Sequence, residues 1–166
     1  MVRNHGKWSD PGIPHKGWVC VDVEDLGKVD AVCEMCETQD IRYVHHMQHQ
    51  NFPGTLGVGC ICAEHMEGDS VGPRKRENAL KNAARRKGNW LKRKWQTSEK
   101  GNPYINTDGL NIAIFRKPNG RWGGRIEDKL TGNYVFSHRE YETKDKAKLA
   151  AFDAMIFLKA QRGWGV

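Results

Sequence analysis

The chain has 166 residues, of which 27 are Lys or Arg and 20 are Asp or Glu, giving a formal net charge of +7 with neutral histidines. This length suits one ordinary domain or two very small ones, and it excludes barrel and doubly wound enzyme folds, which need about 200 residues or more. Because the mean hydropathy is −0.75 and no long apolar run is present, we expect a cytoplasmic protein with no signal peptide or membrane anchor.

Charge is unevenly distributed along the chain. Residues 1–73 carry five basic and 11 acidic side chains, residues 74–100 carry 11 and two, and residues 101–166 carry 11 and seven. The sign of the net charge therefore changes abruptly at Pro73. A basic block beside an acidic module is typical of a protein that binds a polyanion, usually nucleic acid, although a solvated basic helix has the same composition.

The first third of the chain predicts an arm followed by a small module. Residues 1–19 are rich in Gly, Pro, His and Trp without periodicity, which predicts a loosely structured arm that only Trp8 and Trp18 tie down. Cys20 stands alone in a short apolar segment and predicts a buried strand residue. The module then contains a strand and turn over 20–32, a strand over 41–45, a turn over 51–54, a returning strand over 55–59 and a short helix from 63 that Gly68 ends.

Four of the five cysteines form two close pairs, Cys33-Glu-Met-Cys36 and Cys60-Ile-Cys62. In a reducing compartment, such pairs more often hold a metal than a disulfide. The order of cysteine turn, hairpin and cysteines at a helix start is that of a treble-clef zinc site. Bound Zn²⁺ would also explain how a segment with few large apolar side chains is ordered. We predict Cys33, Cys36, Cys60 and Cys62 as the ligands, with His65 as the alternative to Cys60.

The same module resembles the HNH endonuclease family in its cysteine turn, its strand ending in the pair His45-His46, and its cysteine-bearing helix. The resemblance implies that His46 is a general base, that His65 is a metal ligand, and that a second metal polarises the scissile phosphate. Two features depart from the family: Asn51 follows the His pair too closely, and no acidic residue stands beside His46. Alternatively, His45 and His46 are ordinary strand residues on opposite faces of the sheet, and we favour a protein without catalytic activity.

The basic block predicts a helix from Pro73 to Trp95, which Gly88 kinks or splits. Its apolar stripe is too thin for a core element, so neutralisation by phosphates would stabilise it. The basic residues that we predict to contact phosphate are Arg74, Lys75, Arg76, Lys81, Arg85, Arg86, Lys92, Arg93 and Lys94.

A polar linker over 96–103 precedes a segment with the period of strands. Strands over 111–117, 121–127 and 134–140 predict a three-stranded antiparallel sheet. A helix from Lys144 to about Gln161, capped by Thr143, would cover one face of that sheet. The buried stripe of this helix would contain Ala147, Ala151, Met155 and Leu158, with Phe152 and Ile156 beside them.

The segments Gly120–Ile126 and Tyr141–Ala154 resemble the DNA-binding domain of plant ethylene-response factors and the amino-terminal domain of some phage-type integrases. The resemblance implies that the open face of the sheet lies in the DNA major groove and that Arg and Trp side chains read bases. Strand alternation places Trp122 on the opposite face from Arg121 and Arg125, so we expect Trp122 in the core. The candidates for phosphate or base contact are Arg116, Arg121, Arg125 and Arg139. The stretch from Cys33 through the basic helix is also similar to short uncharacterised bacterial and phage proteins, which implies no activity.

These observations predict an α+β protein with an arm over 1–19, a treble-clef-like zinc module over 20–72, a basic helix and linker over 73–100, and a ββ(β)α domain over 101–166. The predicted function is zinc-stabilised binding of DNA or RNA through the helix over 74–95 and the open face of the sheet. One alternative is the HNH-like endonuclease that uses His46. The other is an adaptor or inhibitor of a nucleic-acid machine, with a protein partner on the acidic half.

Overall fold

The computed structural model describes residues 5–165 and shows an α+β fold with three α-helices and several antiparallel sheets in that range. The chain divides into two compact units, Met1–Leu80 and Lys81–Val166, called here the N-terminal and the C-terminal unit. The predicted arm begins in residues 1–4, which lie outside the described residues. None of the helices described is both long enough and apolar enough to cross a membrane.

The N-terminal unit contains two small antiparallel sheets, a 3₁₀ helix at Gly6–Ser9, and the helices that follow them. Its elements are β1 (Val19–Asp25), β2 (Ala31–Val32), β3 (Asp40–Ile41), β4 (Tyr43–His49), β5 (Phe52–Val58), α1 (Cys60–Glu67) and the start of α2 (Gly72–Lys87). Strand β4 lies between β1 and β5, and β2 pairs with β3. The core of this unit lies where α1 packs on β1 and β4, with Val23, Met47 and Met66 fully buried.

The hairpin between β4 and β5 is tighter than the sequence predicts. His49 pairs with Phe52 across a turn of two residues, so Pro53 and Gly54 lie within β5 and not in the turn. The strand tolerates Pro53 because β5 is at the edge of its sheet, where a missing N–H breaks no ladder hydrogen bond.

Helix α1 ends as predicted, with Gly68 as a left-handed cap at φ 67°, but it begins at Cys60, three residues earlier than predicted. Helix α2 ends at Lys87, and Gly88 separates it from a 3₁₀ turn at Trp90–Lys92. The predicted basic helix is therefore split at that glycine. Glycine disfavours a continuous helix because it loses more backbone conformational entropy on folding than other residues do.

The C-terminal unit is built on one antiparallel sheet covered by one long helix. Its further elements are β6 (Gln96–Thr97), β7 (Pro103–Thr107), β8 (Leu110–Arg116), β9 (Trp122–Asp128), β10 (Tyr134–Phe136) and α3 (Lys144–Arg162). The strand order is β10-β9-β8-β7-β6, so the three predicted strands are present as β8, β9 and β10, but the predicted number of three is wrong because the sheet has five. Strand β6 and the first residue of β7 fall in the segment predicted as a polar linker, and the rest of β7 lies where no strand was predicted. Strand β7 has a single aliphatic residue, Ile105, whose burial comes from pairing with Ile112 of β8.

Helix α3 is specified by local signals and by its buried face. The Thr143 hydroxyl accepts a hydrogen bond from the Lys146 amide at 3.1 Å, which satisfies one of the free N–H groups of the first turn. Gly163 ends the helix at φ 66°. The predicted stripe is buried on the sheet, against strands β8 and β9. The residues of that stripe are Ala147, Ala151, Phe152, Met155, Ile156 and Leu158.

Candidate metal centre and charged surfaces

Three cysteines of the N-terminal unit converge in its interior. The Sγ atoms of Cys33, Cys36 and Cys62 all lie within 4.8 Å of one another, and all three residues are fully buried. Cys33 and Cys36 lie in the turn between β2 and β3, which the Glu37 amide closes by donating to the Cys33 carbonyl at 2.8 Å. Tetrahedral Zn–S bonds of about 2.3 Å place sulfurs about 3.8 Å apart. The cluster therefore has the dimensions to hold a metal ion.

Hydrogen-bond donors surround these sulfurs. The Cys62 thiol and the backbone amides of Cys36, Gly59 and Met35 favour the Cys33 thiolate and lower the pKa of Cys33 to about 5, although burial opposes this. The hydrogen bond to Cys33, together with burial, raises the pKa of Cys62. The donors therefore favour a thiolate at Cys33, which is the form of cysteine that a bound metal requires.

Side-chain donors reach the other two sulfurs. The Thr38 hydroxyl lies 3.4 Å from Cys36 Sγ, and the Trp8 indole N–H donates to Cys62 Sγ at 3.3 Å. Each of the three sulfurs thus has a polar hydrogen directed at it, which offsets the burial of negative charge.

The segment Gly6–Ser9 covers the cluster. The Lys7 amide donates to the Met35 carbonyl at 2.8 Å, and Trp8 is 6% exposed. Gly6 lies so close to the cysteine turn that a Cβ added there would be 2.6 Å from the Cys36 carbonyl oxygen. The sequence did not indicate this contact, because Trp8 stands in a segment without periodicity and the contact spans 54 positions of the chain.

Cys60 does not join the cluster. Helix α1 begins at Cys60, and residues two apart on an α-helix point about 200° apart, so Cys60 and Cys62 face opposite sides. His65, the alternative ligand, is half-buried with its ring edge-on to Trp8, at 6.3 Å between ring centroids. Cys20 is buried as predicted, its thiol donates to the Asp22 carbonyl, and burial raises its pKa to about 12.

Cys60 belongs to a second group, with His45 and Glu77, whose ligand atoms also lie within 4.8 Å of one another. Arg76 Nε donates to His45 Nδ1 at 3.2 Å, so Nδ1 is an acceptor and the ring proton is on Nε2, 3.4 Å from Glu77 Oε1. Burial lowers the pKa of His45, which keeps the ring neutral. A metal on Nε2 would require the proton on Nδ1, facing the Arg76 N–H. This group therefore fits a structural hydrogen-bond network and does not fit a metal site.

His46, the candidate general base, has a carboxylate partner that its neighbours in the sequence do not provide. His46 Nε2 lies 3.0 Å from Glu24 Oε1 of the adjacent strand β1, and its side chain is 13% exposed. Neither of the two groups of candidate metal ligands found in the described residues includes His46.

The candidate phosphate-binding residues differ in accessibility. Arg76 is fully buried, with Nη1 donating to Glu67 Oε1 at 2.9 Å, so it cannot reach a ligand in solvent. Two of the exposed arginines have carboxylate partners: Arg74 pairs with Glu64, and Arg86 pairs with Asp108 at 2.9 Å. The predicted residues of this segment that are exposed are Arg74, Lys75, Lys81, Arg85, Arg86, Lys92, Arg93 and Lys94.

The four candidate arginines of the C-terminal sheet differ in exposure and in partners. Arg116 and Arg121 are exposed near the β8–β9 turn, where Arg121 donates to the Glu140 carbonyl at 3.1 Å. Arg125 is half-buried within β9 and pairs with Glu127 at 2.7 Å. Arg139 is half-buried with its guanidinium 5.6 Å from the centre of the Tyr141 ring.

The two compact units carry net charges of opposite sign. Residues 81–166 carry 19 basic and eight acidic side chains, a net charge of +11, whereas residues 1–80 carry eight and 12, a net charge of −4.

No family model, no curated protein and no solved structure matches this chain. Its function is therefore inferred from its geometry and charge.

Proposed function

We propose that this chain is a zinc-stabilised nucleic-acid-binding protein without catalytic activity. The observation that carries the proposal is the net charge of +11 on the C-terminal unit, against −4 on the N-terminal unit. A compact unit of 86 residues with that excess of cations attracts polyanions strongly, and neutralised phosphates release counterions when they bind.

The exposed cations that follow Leu80 are the proposed grip on phosphate. Arg85, Lys92 and Lys94 are exposed at the end of α2 and in the turn after it, a segment that also contains the exposed Lys81 and Arg93. These side chains are long and solvated, so they suit phosphate contacts that position a nucleic acid without reading its sequence. Arg125 on the open face of the sheet, together with the exposed Arg116 and Arg121 near the β8–β9 turn, would provide further contacts.

The proposed metal is zinc, held in a treble-clef-like arrangement by Cys33, Cys36 and Cys62. A set of three thiolates is soft, which favours zinc over the oxygen-binding cations. The fourth ligand that we propose is His65, because it is three residues after Cys62 in α1 and therefore on the same side of the helix. The metal would fix the cysteine turn to α1 and would take no part in chemistry.

The test is binding of the full chain to labelled duplex DNA, single-stranded DNA and a structured RNA, at about 50 and 200 mM salt. We expect affinity to fall steeply with salt. The variant Lys92→Gln/Lys94→Gln should reduce the slope of log K against log salt by up to about 2, since each phosphate contact contributes about 0.7 to 0.9.

The matched control is Lys16→Gln/Lys28→Gln, which removes two exposed lysines from the acidic unit. It should leave both affinity and slope unchanged. Equal losses in the two double variants would mean that net charge alone governs binding, and no binding at low salt would overturn the proposal in favour of the adaptor.

The endonuclease is tested in the same samples by adding Mg²⁺. Strand cleavage that requires Mg²⁺ and disappears in His46→Ala would replace our proposal with the HNH-like enzyme. Intact strands with unchanged binding of His46→Ala would agree with a structural role for the His46–Glu24 pair.

A further inference from the structure

The sheet of the C-terminal unit has two chemically different faces. Ile112 and Ile126 are opposite each other in β8 and β9 and are buried on the side of α3. Their strand neighbours point to the other face, where alternation places Phe115, Arg125 and Phe136. This second face, called here the open face, carries the aromatic side chains of Phe115, Tyr134 and Phe136.

Three aromatic rings form a continuous group on the open face. The ring centroids of Phe115 and Phe136 are 6.0 Å apart, and those of Phe136 and Tyr134 are 5.7 Å apart. Tyr134 is 55% exposed and Phe136 is 53% exposed. Exposed aromatic rings in contact with one another are unusual on a charged surface, because each leaves apolar area in water.

A glycine lets the third ring lie close to the sheet. Phe115 pairs with Gly123 across β8 and β9, and a Cβ on Gly123 would be 3.2 Å from two carbons of the Phe115 ring. A larger residue at this position would push the ring away from the sheet. The pairing therefore holds Phe115 beside Phe136.

An arginine extends the aromatic group. The Arg125 guanidinium lies 4.6 Å from the centre of the Tyr134 ring, and its Nη2 pairs with Glu127. These two partners fix a planar cation against an exposed ring, which is a geometry that also suits stacking on a nucleobase.

We propose that Phe115, Tyr134, Phe136 and Arg125 form a stacking surface for the unpaired bases of a single-stranded nucleic acid. The inference rests on the proposed function and names its substrate class. The charge of the unit selects the occupant: at +11, a second copy of the same unit would be repelled, whereas a polyanion is attracted.

The aromatic rings of this surface favour a single-stranded over a double-stranded nucleic acid. A base in a duplex has both of its faces covered by neighbouring base pairs, and only an unpaired base can lie on a side chain. Stacking is tolerant of sequence because every base has an aromatic face. The surface therefore favours single strands of any sequence over duplexes.

The test uses a labelled oligothymidylate of about 12 nucleotides, alone and as its duplex with oligoadenylate, and the matching oligouridylate. Phe136→Ala should bind the single strand about 5- to 150-fold more weakly, with an unchanged salt slope, because a stacking contact is lost and no cation is removed. Phe136→Trp should retain affinity, whereas Phe136→Leu should lose it, since leucine keeps apolar bulk but has no aromatic face. The control is Leu130→Ala, which removes an apolar side chain that is 79% exposed in the β9–β10 turn and is not one of the three rings.

The outcomes separate this inference from the proposed function. Wild-type affinity of Phe136→Ala for the single strand, together with a reduced slope in Lys92→Gln/Lys94→Gln, would overturn the stacking surface and leave nucleic-acid binding intact. Affinity for the duplex equal to or higher than that for the single strand would also overturn it. A failure of the wild-type chain to bind any of these probes at low salt would overturn both.

Discussion

Replacing Arg76 by methionine tests the distinction between its buried position and the phosphate contact that its sequence context predicts. Methionine keeps an unbranched apolar stem but removes the guanidinium. The change breaks the ion pair with Glu67 and the hydrogen bond to His45 Nδ1. The Glu67 carboxylate then lacks this cation, and His45 Nδ1 lacks this donor. Removing one partner of a buried ion pair costs about 3–5 kcal/mol. That is a large share of the stability of a small domain, which is about 5–15 kcal/mol.

Amide hydrogen exchange of β1 and β4 measures the effect in the N-terminal unit, since His45 lies in β4. The exposed neighbour Lys75→Met is the control and should change the free energy of opening by less than about 0.5 kcal/mol. The double variant Arg76→Met/Glu67→Leu should recover part of the loss, because it no longer leaves a buried carboxylate without its cation. The structural role of Arg76 would be refuted by two results together. The free energy of opening of β1 and β4 in Arg76→Met would be within about 1 kcal/mol of the wild type, and the variant would bind nucleic acid with a reduced slope of log K against log salt.

Three further predictions concern the metal, pH and the covering segment. Cys36→Ser should lose bound zinc, as measured by atomic emission, whereas Cys60→Ser should retain it; the reverse would place Cys60 in the site. Burial opposes ionisation of Asp108, but Lys159 and Arg86 lower its pKa to about 2, so its stabilisation of about 2 kcal/mol is present above pH 4 and disappears as the pH falls towards 2. Asp108→Asn should therefore show a stability deficit in denaturant titrations at pH 7 that vanishes at acid pH, and a constant deficit would contradict the ion pairs. Gly6→Ala should speed removal of zinc by a chelator, since its φ of 59° and its contact with the Cys36 carbonyl disfavour a side chain, and unchanged kinetics would show that this segment does not cover the cluster.

Local signals predicted the C-terminal unit well where they are strong. Thr143, the apolar spacing after it, and the turn at Pro118-Asn119-Gly120 predicted α3 and the β8–β9 hairpin correctly. Strand β7 was missed because its burial comes from pairing across the sheet, and a single isoleucine in a polar segment has no period to detect.

The candidate site was predictable only in part, because it depends on a helix boundary and on contacts between distant residues. The pair Cys33 and Cys36 and the later Cys62 were predicted together, and the structure brings all three into one cluster. Cys60 was predicted to join them because spacing alone does not show that α1 begins at that residue. Glu24 reaches His46 from another strand, 22 positions away, so no local pattern indicates that pair.

The position of Trp8 gives the cysteine cluster an optical signal of its own. An indole ring 3.3 Å from a sulfur is close enough for a thiolate, or a heavier metal bound to it, to quench its emission. The chain has six tryptophans, and the difference between the wild type and Trp8→Phe isolates the contribution of this ring. Loading of the proposed site with zinc, cadmium or cobalt can then be followed in real time in the unlabelled protein, through the fluorescence of this one residue.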